Sequence, residues 1–215
     1  MNLLISVLVF VLAFLLGSIP AAVWIGKRFH NIDVREHGSG NAGTTNVIRV
    51  LGWKTGIPVL LIDIGKGWLA AMLPVFFNLA EPGNALITNI QILTGITAII
   101  GHIFPIFAGF RGGKGVATVF GVLLAIQTPL TLSCFGVFLG ILFITGIVSV
   151  SSMSAGLAFP ILLFSVFDTP SLIFKIFSVL VAIALLITHR KNIGRLFRGE
   201  EAKLIKSGRK SKKEL

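Results

Sequence analysis

Two short stretches of this chain combine glycine, hydroxyl and cation at a density that a plain connector does not need. The first is Gly38-Ser39-Gly40-Asn41-Ala42-Gly43-Thr44-Thr45-Asn46-Val47-Ile48-Arg49; the second is Gly109-Phe110-Arg111-Gly112-Gly113-Lys114-Gly115-Val116-Ala117-Thr118. Glycine lets a backbone adopt positive φ and lets amide N–H groups approach an anion closely. Hydroxyls and carboxamides add neutral donors, and the planar fork of Arg49 suits phosphate. The chemistry this points to is the handling of an anion, phosphate first. Arg49 and Lys114 would neutralise it. Ser39, Asn41, Thr45 and, further along, Ser149 would donate neutral hydrogen bonds. The amides of Gly112, Gly113 and Gly115 would supplement Lys114 as an anion nest.

Other chemistries fit less well. Gly113-Lys114-Gly115 lacks the Gly-Lys-Ser/Thr ending of a nucleotide-binding P-loop, and no strand precedes it. Cys134 is the one cysteine and lies in an apolar run, so neither a disulfide framework nor a cysteine metal cluster is expected. No residue set has metal-ligand spacing, and no cofactor or metal is implied. None of the four histidines, His30, His37, His102 and His189, has an acid five residues on, so the H-x-x-x-x-D acyltransferase pair is absent. His189 and Asn192 are three apart and share a face if the last helix continues.

The elements that must hold these loops are membrane helices. The 215 residues are 54% hydrophobic and 13% charged, with a mean hydropathy of +0.94, whereas soluble domains carry about 25% charged residues. Apolar segments are expected over 3–26, 55–77 and 85–107. Two longer stretches follow, 116–148 and 153–188, each split by a turn, Gln127-Thr128-Pro129 and Asp168-Thr169-Pro170. Gly17 and Ser18 suit close helix packing, and Pro20 a kink. The sum is an all-α integral membrane protein with seven transmembrane helices, several of them short, five being the alternative of equal parity. Residues 1–199 form a single membrane domain and 200–215 a basic, disordered tail.

Net charge is +11, and residues 189–215 hold ten Lys/Arg against three Asp/Glu. Positive segments stay cytoplasmic, so the N-terminus is expected outside and the C-terminus inside, against anionic lipid. Nothing else supports nucleic-acid binding. Residues 29–53, 108–115 and the polar knot Ser149-Val150-Ser151-Ser152 then converge on one membrane face, although the knot alone reads as helix caps. Asp63 and Lys66 lie three apart inside the second span, where ionisable residues are costly. They read as a mutual pair or as functional groups.

With these motifs in hand, the sequence resembles the bacterial acyl-phosphate:glycerol-3-phosphate acyltransferases, the PlsY family. The likeness rests on Gly38–Asn46, on Gly109–Thr118, on Val148-Ser149 with Ser152, and on His189-Arg190-Lys191-Asn192-Ile193 before Arg195-Leu196. Small departures are Thr44 where alanine is frequent and Arg111 where lysine is. The resemblance implies a seven-helix enzyme of the bacterial inner membrane with a cytoplasm-facing active site. It implies transfer of a fatty acyl group from acyl phosphate to the 1-hydroxyl of glycerol 3-phosphate, giving lysophosphatidic acid and phosphate, the first step of phospholipid synthesis. Ser39, Arg49, Lys114, His189 and Asn192 are then the catalytic candidates. Gly40, Asn41, Thr45, Asn46, His102, Gly112, Gly113, Gly115, Thr118 and Ser149 are the substrate-binding ones, with Glu201 as the glutamate after the last helix. The proton acceptor stays open between His189 and a substrate phosphate. The partners implied are the two substrates and membrane lipid, with a monomer and an oligomer both open. An anion transporter and a small structural membrane subunit are the other readings. No repeat spans the two halves, which weighs against a transporter.

Overall fold

The computed structural model describes residues 3–81, 85–167, 169 and 171–204. Among them are ten α-helices, two 3₁₀ turns and no strand. Helix α1 (Leu3–Gly17) is apolar throughout and stops at Gly17-Ser18-Ile19-Pro20, where Pro20 cannot continue the hydrogen-bond ladder. Helix α2 (Ala21–His30) resumes after a bend of 44°. It ends in a turn that carries Lys27 and Arg28, cations that complement the negative end of the helix dipole.

The segment 29–53, expected to be a loop, is only half one. Thr44–Leu51 forms helix α3, with Gly43 as N-cap and Gly52 (φ 85°) as C-cap. Arg49 therefore sits in a last helical turn. Helices α4 (Trp53–Phe76), α5 (Ala85–Ile103), α6 (Val116–Ile126), α7 (Thr128–Thr145), α8 (Val148–Ser165), α9 (Leu172–Thr188) and α10 (Arg190–Phe197) follow. The break expected at Gln127 separates α6 from α7. The break between α8 and α9 is present too, but Asp168 and Pro170 lie outside the described residues. Ser149, Ser151 and Ser152 do not form an interhelical knot. They occupy the start of α8, where Ser151 donates back to the Ile147 carbonyl at 2.9 Å.

Four of these helices are by themselves long and apolar enough to cross a membrane: α4, α5 with its extension to Ala108, α7 and α8. The bent pairs α1–α2 and α9–α10, the latter turning by 56°, bring the number to six. Helix α6, 11 residues long, reaches about 17 Å at about 1.5 Å per residue, against about 30 Å of hydrocarbon.

Helix α4 packs closely on α6. A Cβ on Gly67 would meet the Thr118 carbonyl, and one on Gly121 would meet the Ile64 carbonyl. Two glycines thus let the backbones touch, as small residues do between membrane helices. Gly17 does the same for α1 against Ala98 of α5. The main core joins Ile92, Val122, Leu130, Phe159, Leu163 and Leu185, with Phe159 and Phe177 edge-on at 6.2 Å. The outward faces are apolar instead of polar, Phe143 being 75% and Ile144 81% exposed, which suits contact with lipid.

Residues 200–204 do not leave the body as a free tail. The Leu204 amide donates to the Gly146 carbonyl at 2.8 Å, and Glu201 is 5% exposed at its side chain. The body therefore runs to Leu204, past the boundary expected at 199. Residues 205–215 of the expected basic tail lie outside the described residues.

Candidate active site

At one end of the bundle, five separate segments meet around a single carboxylate. Glu201 Oε1 accepts from Ser149 Oγ at 2.9 Å and from Asn192 Nδ2 at 2.6 Å, and its Oε2 accepts from Arg195 Nε at 2.6 Å. The Asn192 carboxamide turns its oxygen to the Lys114 ammonium, which donates to it. Arg49 reaches in from α3, its guanidinium 3.5 Å from the Ala202 carbonyl. Lys114, Arg49 and Arg195 against Glu201 leave two positive charges over.

These charges set the ionisation of the site. Burial pushes the Lys114 ammonium down to about 8; Glu201 counters this, while Arg195 and Arg49 push further down. Burial alone would raise the Glu201 carboxyl, yet the hydrogen bonds from Arg195, Asn192 and Ser149 win and hold it below its ordinary value. Glu201 is therefore a carboxylate at neutral pH, and a carboxylate cannot itself hold a phosphate. It orients the groups that can.

The bend between α9 and α10 brings His189 and Asn192 to this end. His189, 3% exposed, points Nδ1 at the Leu185 carbonyl at 2.8 Å. A carbonyl only accepts, so Nδ1 carries the hydrogen and Nε2 is left as an acceptor. The two residues stay close through the bend, the Asn192 amide donating to the His189 carbonyl at 2.8 Å.

The first loop is wound around one side chain. Asn46, 1% exposed, accepts from the Ser39 amide at 2.8 Å and donates to the carbonyls of Val34 at 2.7 Å and His37 at 3.1 Å. Gly38 (φ 60°) and Gly40 (φ 72°) provide the left-handed turns that this winding needs. The loop is then tied to the second one. Asp33 grips Arg35 through Nε at 2.9 Å and Nη2 at 2.7 Å. The remaining Nη1 donates to the Ala108 carbonyl at 2.7 Å and the Arg111 carbonyl at 3.3 Å. The Arg35 guanidinium holds the Asp33 carboxyl far below the carboxylate range.

Residues 7–199 match the family described as glycerol-3-phosphate acyltransferase. The chain belongs to that family. A glycerol-3-phosphate acyltransferase of Chlorobaculum tepidum is 42% identical over 220 residues, covering 91% of this chain and 95% of the relative. One of Chlorobium luteolum is 40% identical, covering 89% and 93%. Two crystal structures of PlsY (YgiH), described as an integral membrane glycerol 3-phosphate acyltransferase, share the fold. The glycerol 3-phosphate form gives a TM-score of 0.82 at 35% identity, covering 92% of this chain and 94% of PlsY. The lysophosphatidic acid form gives 0.78 at 34% identity, with the same coverage.

For this member of the PlsY family, the structure sorts the candidates. Lys114, Ser149, Asn192 and Glu201 form one hydrogen-bonded network with Arg49 at its edge, and the Lys114 and Glu201 charges reach His189 as well. Ser39 is fixed at its amide, half-buried, beside Gly40, Asn41 and Thr45 in the first loop and α3. Besides Glu201, a carboxylate that orients its neighbours instead of holding phosphate, three expectations change. The Gly112 and Gly113 amides donate to the carbonyls of Ile103 (3.1 Å) and His102 (3.2 Å), because the second loop caps the end of α5. They are not an anion nest, and Gly115 (φ 81°) caps α6. Asn46 has its carboxamide taken up inside the loop, so it shapes the site without facing it. His102 is turned inward, its Nδ1 3.1 Å from Thr118 Oγ1.

Reading the sequence missed two residues. Arg195 holds Glu201, and only the fold-back of residues 200–204 makes the pair. Thr44, next to the favoured Thr45, has a buried hydroxyl with no partner among the described residues. Its place beside Gly43, at the start of a helix, was the one available signal.

Proposed function

We propose that this protein transfers a fatty acyl group from an acyl phosphate to the 1-hydroxyl of glycerol 3-phosphate, releasing lysophosphatidic acid and inorganic phosphate. The observation that carries this is the surplus of two positive charges where five segments converge, on a membrane bundle of this family. Both substrates are phosphate dianions, and bringing them together needs cations fixed in advance. An acyl phosphate is already activated, so no acyl-serine is needed. The glycerol hydroxyl attacks the acyl carbon, the new C–O bond forms, and the bond to the phosphate oxygen breaks with its electron pair on the leaving phosphate. The hydroxyl proton passes to a substrate phosphate, and His189 Nε2 accepts a hydrogen bond from the attacking hydroxyl. Lys114 and Arg49 hold the phosphates, and Ser39, Thr45 and Ser149 add neutral donors. Asn192 stands between Lys114 and Glu201 and sets where the ammonium points. No metal or cofactor enters this scheme.

The same reading has seven membrane segments, α6 being the short one, in the bacterial inner membrane. The N-terminus is outside, and the site, the C-terminus and the basic tail are on the cytoplasmic face. The test is phosphate release by the purified protein in lipid, given glycerol 3-phosphate with palmitoyl phosphate or palmitoyl-CoA. Lysophosphatidic acid from the acyl phosphate alone is expected. Turnover with the CoA donor would overturn the donor assignment.

A further inference from the structure

Below the two loops, and outside the Glu201 network, lies a second polar group buried in the bundle. Lys66 and Asp63 pair at 2.8 Å with both side chains 3% exposed. The Lys66 ammonium also donates to the Ile19 carbonyl at 2.8 Å, in the break between α1 and α2. Pro20 lies at that break, and the amides of Val23 and Trp24 both turn to the Pro20 carbonyl instead. Lys66 thus satisfies the Ile19 carbonyl, as buried backbone in a membrane requires. On its other side, the Asp63 carboxylate comes within 3.6 Å of His102 Nδ1, which is also bonded to Thr118 Oγ1. At 3.6 Å this is a close electrostatic contact and not a hydrogen bond, and the ring's hydrogen-bonding partner is Thr118 Oγ1. The far edge of the ring then faces the second loop. A Cβ on Gly113 would strike His102 Nε2, and it would stand 3.0 Å from the Ala42 carbonyl of the first loop. Asp63, Lys66, His102, Ala42, Gly112 and Gly113 line one small cleft between the loops.

We propose that Asp63 and His102 are positioning residues for the acyl-transfer site, with Lys66 the structural partner that keeps Asp63 buried. The buried pair fixes the imidazole, the imidazole is the floor on which Gly113 rests, and Gly113 sets where its neighbour Lys114 stands. Three observations carry this beyond a plain structural ion pair. The chain of contacts is unbroken from the α1–α2 break to the second loop. It ends one residue from the ammonium of the site. Gly113 has no side chain that could absorb a movement of the ring. The inference rests on Lys114 as a phosphate-holding group.

The test is steady-state kinetics of the full chain in lipid, with KM measured separately for glycerol 3-phosphate and palmitoyl phosphate, alongside thermal unfolding. Asp63→Asn is expected to raise KM for one of the two substrates at least tenfold, with a smaller change in kcat. Lys66→Met leaves the Asp63–His102 contact in place and is expected to lower the melting temperature more than it raises KM. Equal effects of the two, confined to melting temperature and folded yield, would overturn the proposal. Should Asp63→Asn not fold, a His102 variant decides. His102→Asn keeps a polar atom near the Nδ1 position but removes the ring edge under Gly113, so it is expected to raise the same KM at least threefold over wild type, and unchanged KM values overturn the proposal. Lys114→Ala is run beside them. If it keeps turnover within a few-fold of wild type, the reading of Lys114 fails; if it nearly abolishes turnover while Asp63→Asn raises neither KM, only the relay fails.

Discussion

Glu201→Gln separates positioning from charge at the centre of the site. The glutamine keeps the size of the side chain and one accepting oxygen. It removes the negative charge and places an NH₂ where an oxygen now accepts. If that NH₂ faces Arg195 Nε, a 2.6 Å charge-assisted bond becomes a donor against a donor. If it turns the other way, Ser149 and Asn192 lose their acceptor. A hydrogen bond to a charged group contributes about 1.5–3 kcal/mol. If about 2–3 kcal/mol of that acts on the geometry of Asn192 and Lys114, kcat/KM falls about 30- to 160-fold. A view in which Glu201 only offsets positive charge predicts the opposite sign, because its removal strengthens the field on both phosphates and KM falls. The pH profile gives an independent reading. Lysine is charged below its pKa, so wild-type kcat/KM should hold below about 8 and fall above it as free Lys114 loses its proton. Glu201 pushes that pKa upward, so in Glu201→Gln the alkaline fall should begin at lower pH. A variant with wild-type kcat, lowered KM and an unmoved alkaline limb would refute the positioning argument.

The other predictions follow from single contacts. Lys114→Ala and Arg49→Ala should nearly abolish turnover in protein that still melts cooperatively; activity within a few-fold of wild type would remove them from the site. Ser39→Ala should be strongly impaired, yet no acyl adduct should be trapped on Ser39 by mass spectrometry after incubation with acyl phosphate. Asn46→Ala leaves the Ser39 amide and two carbonyls without their partner, a loss of about 2–4 kcal/mol that thermal unfolding in detergent should register. Asp33 has a folded pKa below its unfolded one, so its stabilisation is complete above the ordinary aspartate range, about pH 4, and is lost as pH falls through and below it. Asp33→Asn should flatten the acid side of the melting-temperature profile.

What the sequence disclosed was chemistry and rough position. The residue types of Gly38–Arg49 and Gly109–Thr118 announced a cationic, donor-rich site, and the breaks at Pro20 and Gln127 were legible because proline and turn residues act locally. The uses of individual groups were less so. The glycines at 112 and 113 suggested free amides, but the amides close the end of α5, and that depends on where the chain turns after Ile103. Asn46 and Asn41 look alike in sequence, yet only Asn46, buried on α3, has three backbone partners around it. Thr44–Leu51 was submerged in its glycine-rich surroundings, since eight residues are too short a window for periodicity to stand out. Glu201 and Arg195 are six apart in a basic stretch that reads as a tail, and the bonds of Glu201 to Ser149 and Asn192 together with that of Leu204 to Gly146 bring that stretch home.

The arrangement explains why so little of the site resembles the machinery of a hydrolase. A nucleophile and a tuned base are needed when the leaving group is poor, and in the proposed reaction the leaving group is phosphate, which departs from an acyl group readily. What such a reaction demands is that two dianions and one hydroxyl stand still together, and that demand is met by contacts between segments. Arg35 ties the first loop to the second, Asn46 ties the first loop to α3, and Glu201 ties α8, α10 and the chain end to one another. The apolar exterior fixes the helices in lipid, while the glycine contacts of α4 with α6 let the membrane part stay close-packed under these ties. Catalysis by position then makes residues remote from the phosphates count. Asp63, two contacts away from the second loop, should matter through KM, whereas a residue that only stabilised the bundle would matter through the amount of folded protein.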